Sequence, residues 1–344
     1  MHRVRVSLDW LPNTNHTGFY VATSKGYYQE LGLGVELLSP HLDDYAKTPA
    51  AKLASDQVDF AVAPSETIVS SHLRSVDTQS DHLPQAVAAI VQDDLSAIVT
   101  LASSGITRPS QLDGKTYASY GARFEGRIVQ QLIKNDGGTG NFKEVTPRML
   151  GIWETILKEE YDATWVFCGW EGIEAERKGI KLNTFKLAEA GIPYGYTPVL
   201  IASASMLRDH AKETKHFLAA TAKGFEWAAE HPDEAAEILI RQVQQDFKDT
   251  PLPEPLDPDM VQQSQRLLSK HYLDGRGKWG TMDLKRCDAF LDWLSEAGLL
   301  TEGIASRTGG AVSLDDLRSG NAGKAIPRSH LVASRLFTND YLAT

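Results

Sequence analysis

Cysteine is nearly absent: Cys168 and Cys287 are the only two in 344 residues, and they have no CxxC spacing. That excludes a disulfide framework and a cysteine-rich zinc site, and two lone thiols suit a reducing compartment. Cations are also in deficit. Thirty-five Lys and Arg stand against 45 Asp and Glu, a formal net charge of −10. Such a surface repels nucleic-acid phosphates and anionic membranes, so neither is expected as a partner. No apolar run approaches the ~20 residues needed to cross a bilayer, which excludes direct membrane insertion by a helix. No GxGxxG follows the first strand-like segment, and neither GxxxxGK[ST] nor GxSxG occurs. The glycines of Gly137-Gly138-Thr139-Gly140 follow a helical stretch and cannot form a strand-to-helix phosphate cradle. His16, His41, His72 and His82 lack metal-ligand spacing, and the Asp93-Asp94 pair reads as solvated surface acid, so no metal is expected. No catalytic nucleophile–base pair emerges from spacing.

What remains is the rhythm of an open α/β protein. Val4–Leu8 alternates and reads as a strand, a polar loop follows, and a helix is expected over Phe19–Leu31. Val35–Leu38, a helical stretch over Ala46–Ala54 and the strand Asp59–Ala63 complete a βαβαβ series, the signature of a parallel sheet with helices on its faces. Ala86–Gln92 and Ala97–Ala102 are strands interrupted by Asp93-Asp94-Leu95-Ser96, taken as the crossing into a second lobe. That lobe holds strands at Thr116–Ser119 and Ala163–Cys168, with helices at Arg127–Lys134 and Trp153–Lys158. Pro198–Ser203 carries the chain back. Ala211–Leu300 is mainly helical, with Phe217, Ala220, Phe225 and Trp227 on one apolar face and Phe290, Trp293 and Leu294 on another. Gly303–Ser329 reads as an insertion or mobile arm. The expected organisation is a discontinuous first lobe of residues 1–93 and 204–300, a second lobe of 94–203, and a C-terminal extension of 301–344. At 344 residues, two lobes also fit the size limit of a single core.

Ligands of such sheets sit beyond the carboxyl ends of strands, where connections diverge. Four loops follow strands: Asp9 to His16, Pro64-Ser65-Glu66, Tyr120 to Gly126, and Gly169-Trp170-Glu171-Gly172. A fifth, Pro193-Tyr194-Gly195-Tyr196, precedes the return strand. Together they offer four acids (Asp9, Glu66, Glu125, Glu171), flat rings (Trp10, Tyr120, Trp170, Tyr194, Tyr196) and a single arginine, Arg123. Asn13, His16, Pro64, Ser65 and Gly121 complete the candidate ligand site. Any one acid could cap a helix and any one ring could fill the core. Converging on one edge, they suit a flat, nitrogen-rich heterocycle, which stacks on rings and donates hydrogen bonds to carboxylates.

Asp9-Trp10-Leu-Pro-Asn-Thr-Asn-His-Thr-Gly18, Tyr20-Val-Ala, Lys25-Gly26-Tyr27-Tyr28, Asp59-Phe-Ala-Val-Ala-Pro-Ser-Glu66, Gly169-Trp-Glu-Gly172 and Leu336-Phe-Thr-Asn-Asp-Tyr341 resemble the thiamin-pyrimidine precursor family. The resemblance runs from about residue 4 to 300 and resumes at the end. It implies a two-lobed, type II periplasmic-binding-protein fold with a hinge and a central cleft. One branch of that family consists of exported binding proteins for formylaminopyrimidine that feed an ABC transporter. The other is hydroxymethylpyrimidine phosphate synthase, which builds the pyrimidine from its own histidine and bound pyridoxal phosphate, with iron.

Here Ala63 stands where the synthase has its Schiff-base lysine, and Thr67 where it has the donor histidine. Alanine forms no imine, and threonine has no imidazole to give up. The synthase's cysteine-rich run is also missing, since 193–198 reads Pro-Tyr-Gly-Tyr-Thr-Pro. The resemblance therefore implies a binding protein without a cofactor, in which Asp9 and Glu171 hold the pyrimidine nitrogens and Trp10, Trp170, Tyr194 and Tyr196 frame the ring. The alternatives are a synthase-like enzyme using other residues, and a transport receptor for another small ligand such as a sulfonate or riboflavin. Because Met1 leads at once into a charged strand and not an apolar leader, a cytosolic protein is expected; an ABC transporter would be a partner if the chain is exported.

Overall fold

The computed structural model describes residues 1–74, 83–147, 156–302 and 323–343. Two five-stranded mixed sheets organise the chain. In the first, β2 (Leu33–Leu38), β1 (His2–Ser7) and β3 (Phe60–Ala63) run parallel. They are followed by β10 (Val199–Ala202), antiparallel to β3 and to β4 (Gln85–Ala89). The second sheet has the order β7 (Lys143–Val145), β6 (Thr116–Ala118), β8 (Ala163–Phe167), β5 (Ser96–Leu101) and β9 (Leu182–Phe185). Near-continuous apolar runs such as Phe60–Ala63 are buried along their whole length, as expected of strands covered on both faces.

The chain passes between sheets through 90–95, where the Asp-Asp-Leu interruption falls, and returns between β9 and β10. Because β10 pairs inside the first sheet, the return precedes Val199 and does not lie at Ser203. The expected single helix over Phe19–Leu31 is in fact two, α1 (Thr17–Ser24) and α2 (Tyr27–Glu30). Gly26 separates them with φ of 76°, a left-handed value that glycine adopts without steric cost. The helix expected around Trp153 and most of the Gly303–Ser329 arm lie outside the described residues. The terminal segment docks on the first sheet: the Thr338 amide donates to the Ala86 carbonyl at 2.9 Å, beside a bridge between Ala86 and Phe337.

The helical half of the first lobe packs on its sheet through an aromatic cluster. Helix α3 (Pro49–Ala54) precedes β3, and α4 (Ser65–Arg74) follows it. In the second lobe α5 (Glu125–Asn135) follows β6, and α6 (Ile173–Arg177) lies beyond β8. After β10 come α7 (Ala204–Asp209), α8 (Ala211–Glu230), α9 (Pro232–Asp246), α10 (Pro258–Leu268), α11 (Leu284–Glu296) and the short α12 (Ala333–Leu336). Phe217 and Phe225 of α8 are fully buried against Phe19, Tyr28 and Phe60. Trp227, expected on that face, packs half-buried at the margin of the same cluster, stacked on His231 and covered by the Lys25 ammonium.

Helices α1 and α8 cross with almost no side chain between them. A Cβ at Gly224 would sit 2.1 Å from the Gly18 carbonyl oxygen, and one at Gly18 would enter the Phe225 ring. Backbone cannot yield as a flexible side chain does. Gly224→Ala is therefore expected to cost about 1–3 kcal/mol through overpacking, read by denaturant unfolding; an unchanged midpoint would refute the close crossing.

Candidate functional site

The carboxyl ends of β1, β3, β6 and β8 bring the four acids to the seam between the lobes, in two clusters. The outer one begins at Asp9. Its Oδ1 lies 2.8 Å from Nε2 of His16, which is fully buried. The Asn13 amide donates to His16 Nδ1 at 3.2 Å, so that nitrogen is an acceptor and the proton resides on Nε2. A neutral His16 thus donates to Asp9 and fixes its carboxylate.

Opposite stands Glu171, on the π-helical turn Cys168–Gly172 that ends β8. Its Oε2 accepts from the Phe167 amide at 2.9 Å. Burial pushes its carboxyl up to about 7; the amide bonds oppose that shift, and the charges of Glu174 and Asp9 add to it. Trp10 lies 5.5 Å from Tyr45 and, edge-on, 6.3 Å from Tyr120. Rings from both lobes therefore border the outer acids.

The inner cluster is drier. Glu66, in the first turn of α4, accepts from the Tyr194 hydroxyl at 3.3 Å through Oε1. Its Oε2 is buried with no hydrogen-bond partner, as is Ser65 Oγ beside it. Burial, then the charge of Glu125, pushes the Glu66 carboxyl up to about 8. Glu125 opens α5 and is well supplied: the Tyr117 hydroxyl donates to Oε1 at 2.7 Å, the Tyr120 amide at 3.0 Å, and the Ala122 amide to Oε2 at 3.2 Å. Burial still pushes it up to about 7, with Glu144 adding to the rise. Asp94, on the first crossing, is raised by burial and contributes negative charge near Tyr194. Glu66, Glu125 and Glu171 form no ion pair with a described residue.

Six sequence candidates have other work. Asn13 caps its own turn, accepting from the Asn15 amide and donating to the Leu11 carbonyl. Pro64 starts α4, accepting from the Thr67 amide. Gly121, at φ of 71°, makes the tight turn after β6. Arg123 points to the C-terminal extension, donating to the Thr301 carbonyl at 2.5 Å, and its guanidinium lies 5.4 Å from the Phe124 ring. Trp170 is half-buried and packs against the Tyr20, Val243 and Val261 cluster of the first lobe. Tyr196 accepts from the Asp283 amide through its hydroxyl at 2.9 Å and lies under the Arg286 guanidinium.

Tyr45 was missed. It sits in the loop after β2, itself a strand end, and that position is the signal that could have found it. Asp44 and Tyr45 are consecutive left-handed residues, at φ of 51° and 58°. Outside glycine this is an uncommon conformation that marks functional loops. Asp93 and Asp94 turn to different partners, His271 at 2.6 Å and the Ser96 amide at 2.9 Å. Among the described residues no group of His, Cys, Asp and Glu could hold a metal, and no helix is long and apolar enough to cross a membrane. A cavity of about 200 Å³ between Leu132, Asp136, Phe185 and Lys186 lies within the second lobe, away from both clusters.

The family model described as NMT1/THI5 like matches residues 13–235. The formylaminopyrimidine-binding protein of Halalkalibacterium halodurans is 24% identical over 89% of this chain and 88% of its own. A 4-amino-5-hydroxymethyl-2-methylpyrimidine phosphate synthase of Legionella pneumophila is 23% identical over 70% of this chain and 73% of its own. Among solved structures, the ligand-binding component of an ABC-type import system from Staphylococcus aureus covers 94% of this chain and 100% of its own, at 14% identity and a TM-score of 0.59. The periplasmic aliphatic sulphonate binding protein SsuA of Escherichia coli covers 78% and 92%, at 11% identity and a TM-score of 0.51. The fold is the periplasmic-binding-protein fold. These neighbours also overturn the cytosolic expectation, because a periplasmic receptor and an import component point away from the cytosol. That expectation rested on where the chain begins and on two lone thiols, neither of which reports a compartment.

Proposed function

The chain belongs to the NMT1/THI5-like family, and from that premise we propose that it binds a small thiamin-related aminopyrimidine between its lobes and performs no chemistry on it. The observation that carries this reading is the set of carboxylates on both lobes, Glu66 and Glu125 buried and Glu171 half-buried, without a cationic partner among the described residues. Unpaired buried charge is costly unless something supplies a proton or a donor. An aminopyrimidine brings an exocyclic amine and ring nitrogens that donate when protonated, and a flat face for Trp10, Tyr45 and Tyr120. A sulfonate brings only acceptors and negative charge, and the same acids would repel it. Hinge closure of the lobes around the ligand accompanies binding, and an import system is the partner such a receptor would serve.

The synthase reading fares worse. Ala63 ends β3 and is buried in the core, and Thr67 lies in α4, so the two positions hold neither an imine-forming amine nor an imidazole. Pyridoxal phosphate would also bring a phosphate into an acid-lined seam. The residues present do not fit that cofactor.

Calorimetry against formylaminopyrimidine, hydroxymethyl aminopyrimidine, riboflavin and an alkanesulfonate tests the proposal. Aminopyrimidines should saturate one site and be recovered unchanged, and added pyridoxal phosphate should give no imine absorbance. Exclusive binding of riboflavin or the sulfonate, or a chemically altered pyrimidine, would refute it.

A further inference from the structure

The two crossings between the lobes are tied to each other and to one side chain of the first lobe. They meet directly where the Ile90 amide donates to the Pro198 carbonyl at 3.0 Å. Arg286, in the first turn of α11, joins them a second time. Its Nη1 donates to the Gln92 carbonyl on the outgoing crossing, and its Nη2 to the Gly195 carbonyl on the returning one, at 3.3 Å. The guanidinium carbon lies 4.3 Å from the centre of the Tyr196 ring. The same stretch of the first lobe holds each crossing once more. The Asp283 amide donates to the Tyr196 hydroxyl at 2.9 Å, the Gln92 amide to the His271 carbonyl at 2.7 Å, and Gln92 Nε2 to the Thr281 carbonyl at 3.1 Å.

A planar guanidinium suits this role. It presents several N–H donors in a fixed fork, stacks on an aromatic face and stays charged throughout the working pH range. Charged donors also hold a carbonyl more firmly than neutral ones. With Gln92 and Gly195 both held, rotation of the second lobe falls to the residues beyond them, and the two crossings must bend together. The returning crossing carries a contact to the inner acids as well. Tyr194, next to Gly195, donates to Glu66 at 3.3 Å, and the Tyr196 carbonyl accepts from the Ser65 amide at 3.2 Å. There is little slack at that point, because a Cβ on Gly195 would come within 2.8 Å of Ser65 Oγ.

We propose that Arg286 is the clasp of the hinge, a positioning residue that makes the two crossings bend as one and keeps Tyr194 aligned on Glu66. It acts through two backbone carbonyls and one ring face, not through the ligand. The clasp belongs to the fold and operates in ligand-free protein; only its effect on affinity rests on the aminopyrimidine reading above. Without it each crossing bends by itself, and the lobes sample more relative orientations. A smaller fraction of molecules is then ready to close on a ligand, and the apparent affinity falls with that fraction.

Single-molecule energy transfer between dyes at exposed Glu237 of the first lobe and exposed Lys115 of the second reads the spread of lobe orientations. The dyes are attached through introduced non-natural residues, because Cys287 adjoins Arg286. Arg286→Met keeps the stem and removes the fork. Without ligand it is expected to give a broader distribution than wild type, and formylaminopyrimidine should bind it roughly 10-fold more weakly, as the fraction ready to close falls by that factor. Arg286→Lys keeps the charge but neither the fork nor the stack, and should lie between the two. Gly224→Ala loosens the first lobe without touching either crossing, so it should melt early yet keep the wild-type distribution and affinity. A wild-type distribution in Arg286→Met would overturn the clasp; if that variant does not fold, the same result in Arg286→Lys overturns it. If no pyrimidine binds wild type, the aminopyrimidine reading falls, and the ligand-free distributions still decide the clasp.

Discussion

Ligand-free protein is expected to lose on the order of a few kcal/mol of stability as pH rises from about 5 to about 8.5, a fall in melting temperature of ~5 °C or more. The sign follows from proton counting. Glu66, Glu125 and Glu171 titrate at about 8, 7 and 7 in the fold, well above the ordinary carboxylate range of the unfolded chain. Between the two ranges the folded protein binds more protons than the unfolded one, so stability falls with rising pH and levels off above the highest folded value. Asp94 and Asp246, also raised by burial, act in the same direction. His72, lowered by burial, acts oppositely, but it is one group against several. Most carboxylates of soluble proteins are paired and produce the reverse trend, which makes the result distinctive. Glu66→Gln should flatten the profile, raising the melting temperature near pH 8 and leaving it almost unchanged near pH 5. A ligand-free protein that grows more stable across this window would mean that the three acids are not desolvated together.

The reason such a site could be read from sequence only in part lies in what a strand end does and does not specify. Apolar β-branched runs fixed the positions of β1, β3, β5 and β8, and with them the loops that had to share one edge; Asp9, Glu66, Glu125 and Glu171 all arrive there. The direction of each side chain within a loop is set by partners far away in the chain. Tyr196 turns toward Asp283 and Arg286, 87 and more residues on, and Arg123 toward Thr301. Trp170 finds a gap among helices that local pattern does not reveal. The break at Gly26 has the same character: an apolar periodicity continues through it, and only the positive φ ends the helix. Tyr45 escaped although its loop follows a strand and carries Pro40, because nothing in the local pattern shows that the ring comes to lie against Trp10.

Neutralising the outer acids should produce the largest loss of affinity. Asp9→Asn and Glu171→Gln are each expected to weaken an aminopyrimidine by roughly 10- to 100-fold, since a charge-assisted hydrogen bond is worth about 1.5–3 kcal/mol. Both substitutions leave the local structure intact for a specific reason. The donor to Asp9 is His16 Nε2–H and the donor to Glu171 is the Phe167 amide, and an amide oxygen accepts from each as a carboxylate does. What disappears is the charge. The two acids come from opposite lobes and Asp9 already raises Glu171, so ligand-free protein gains from removing either one, and a loss of binding cannot be ascribed to a damaged fold. The double variant should lose less than the product of the single losses, because residues holding one ligand couple. Calorimetry of the four proteins closes the cycle. Wild-type affinity in both single variants would remove Asp9 and Glu171 from the binding surface and leave the inner pair, Glu66 and Glu125, to hold the ligand alone.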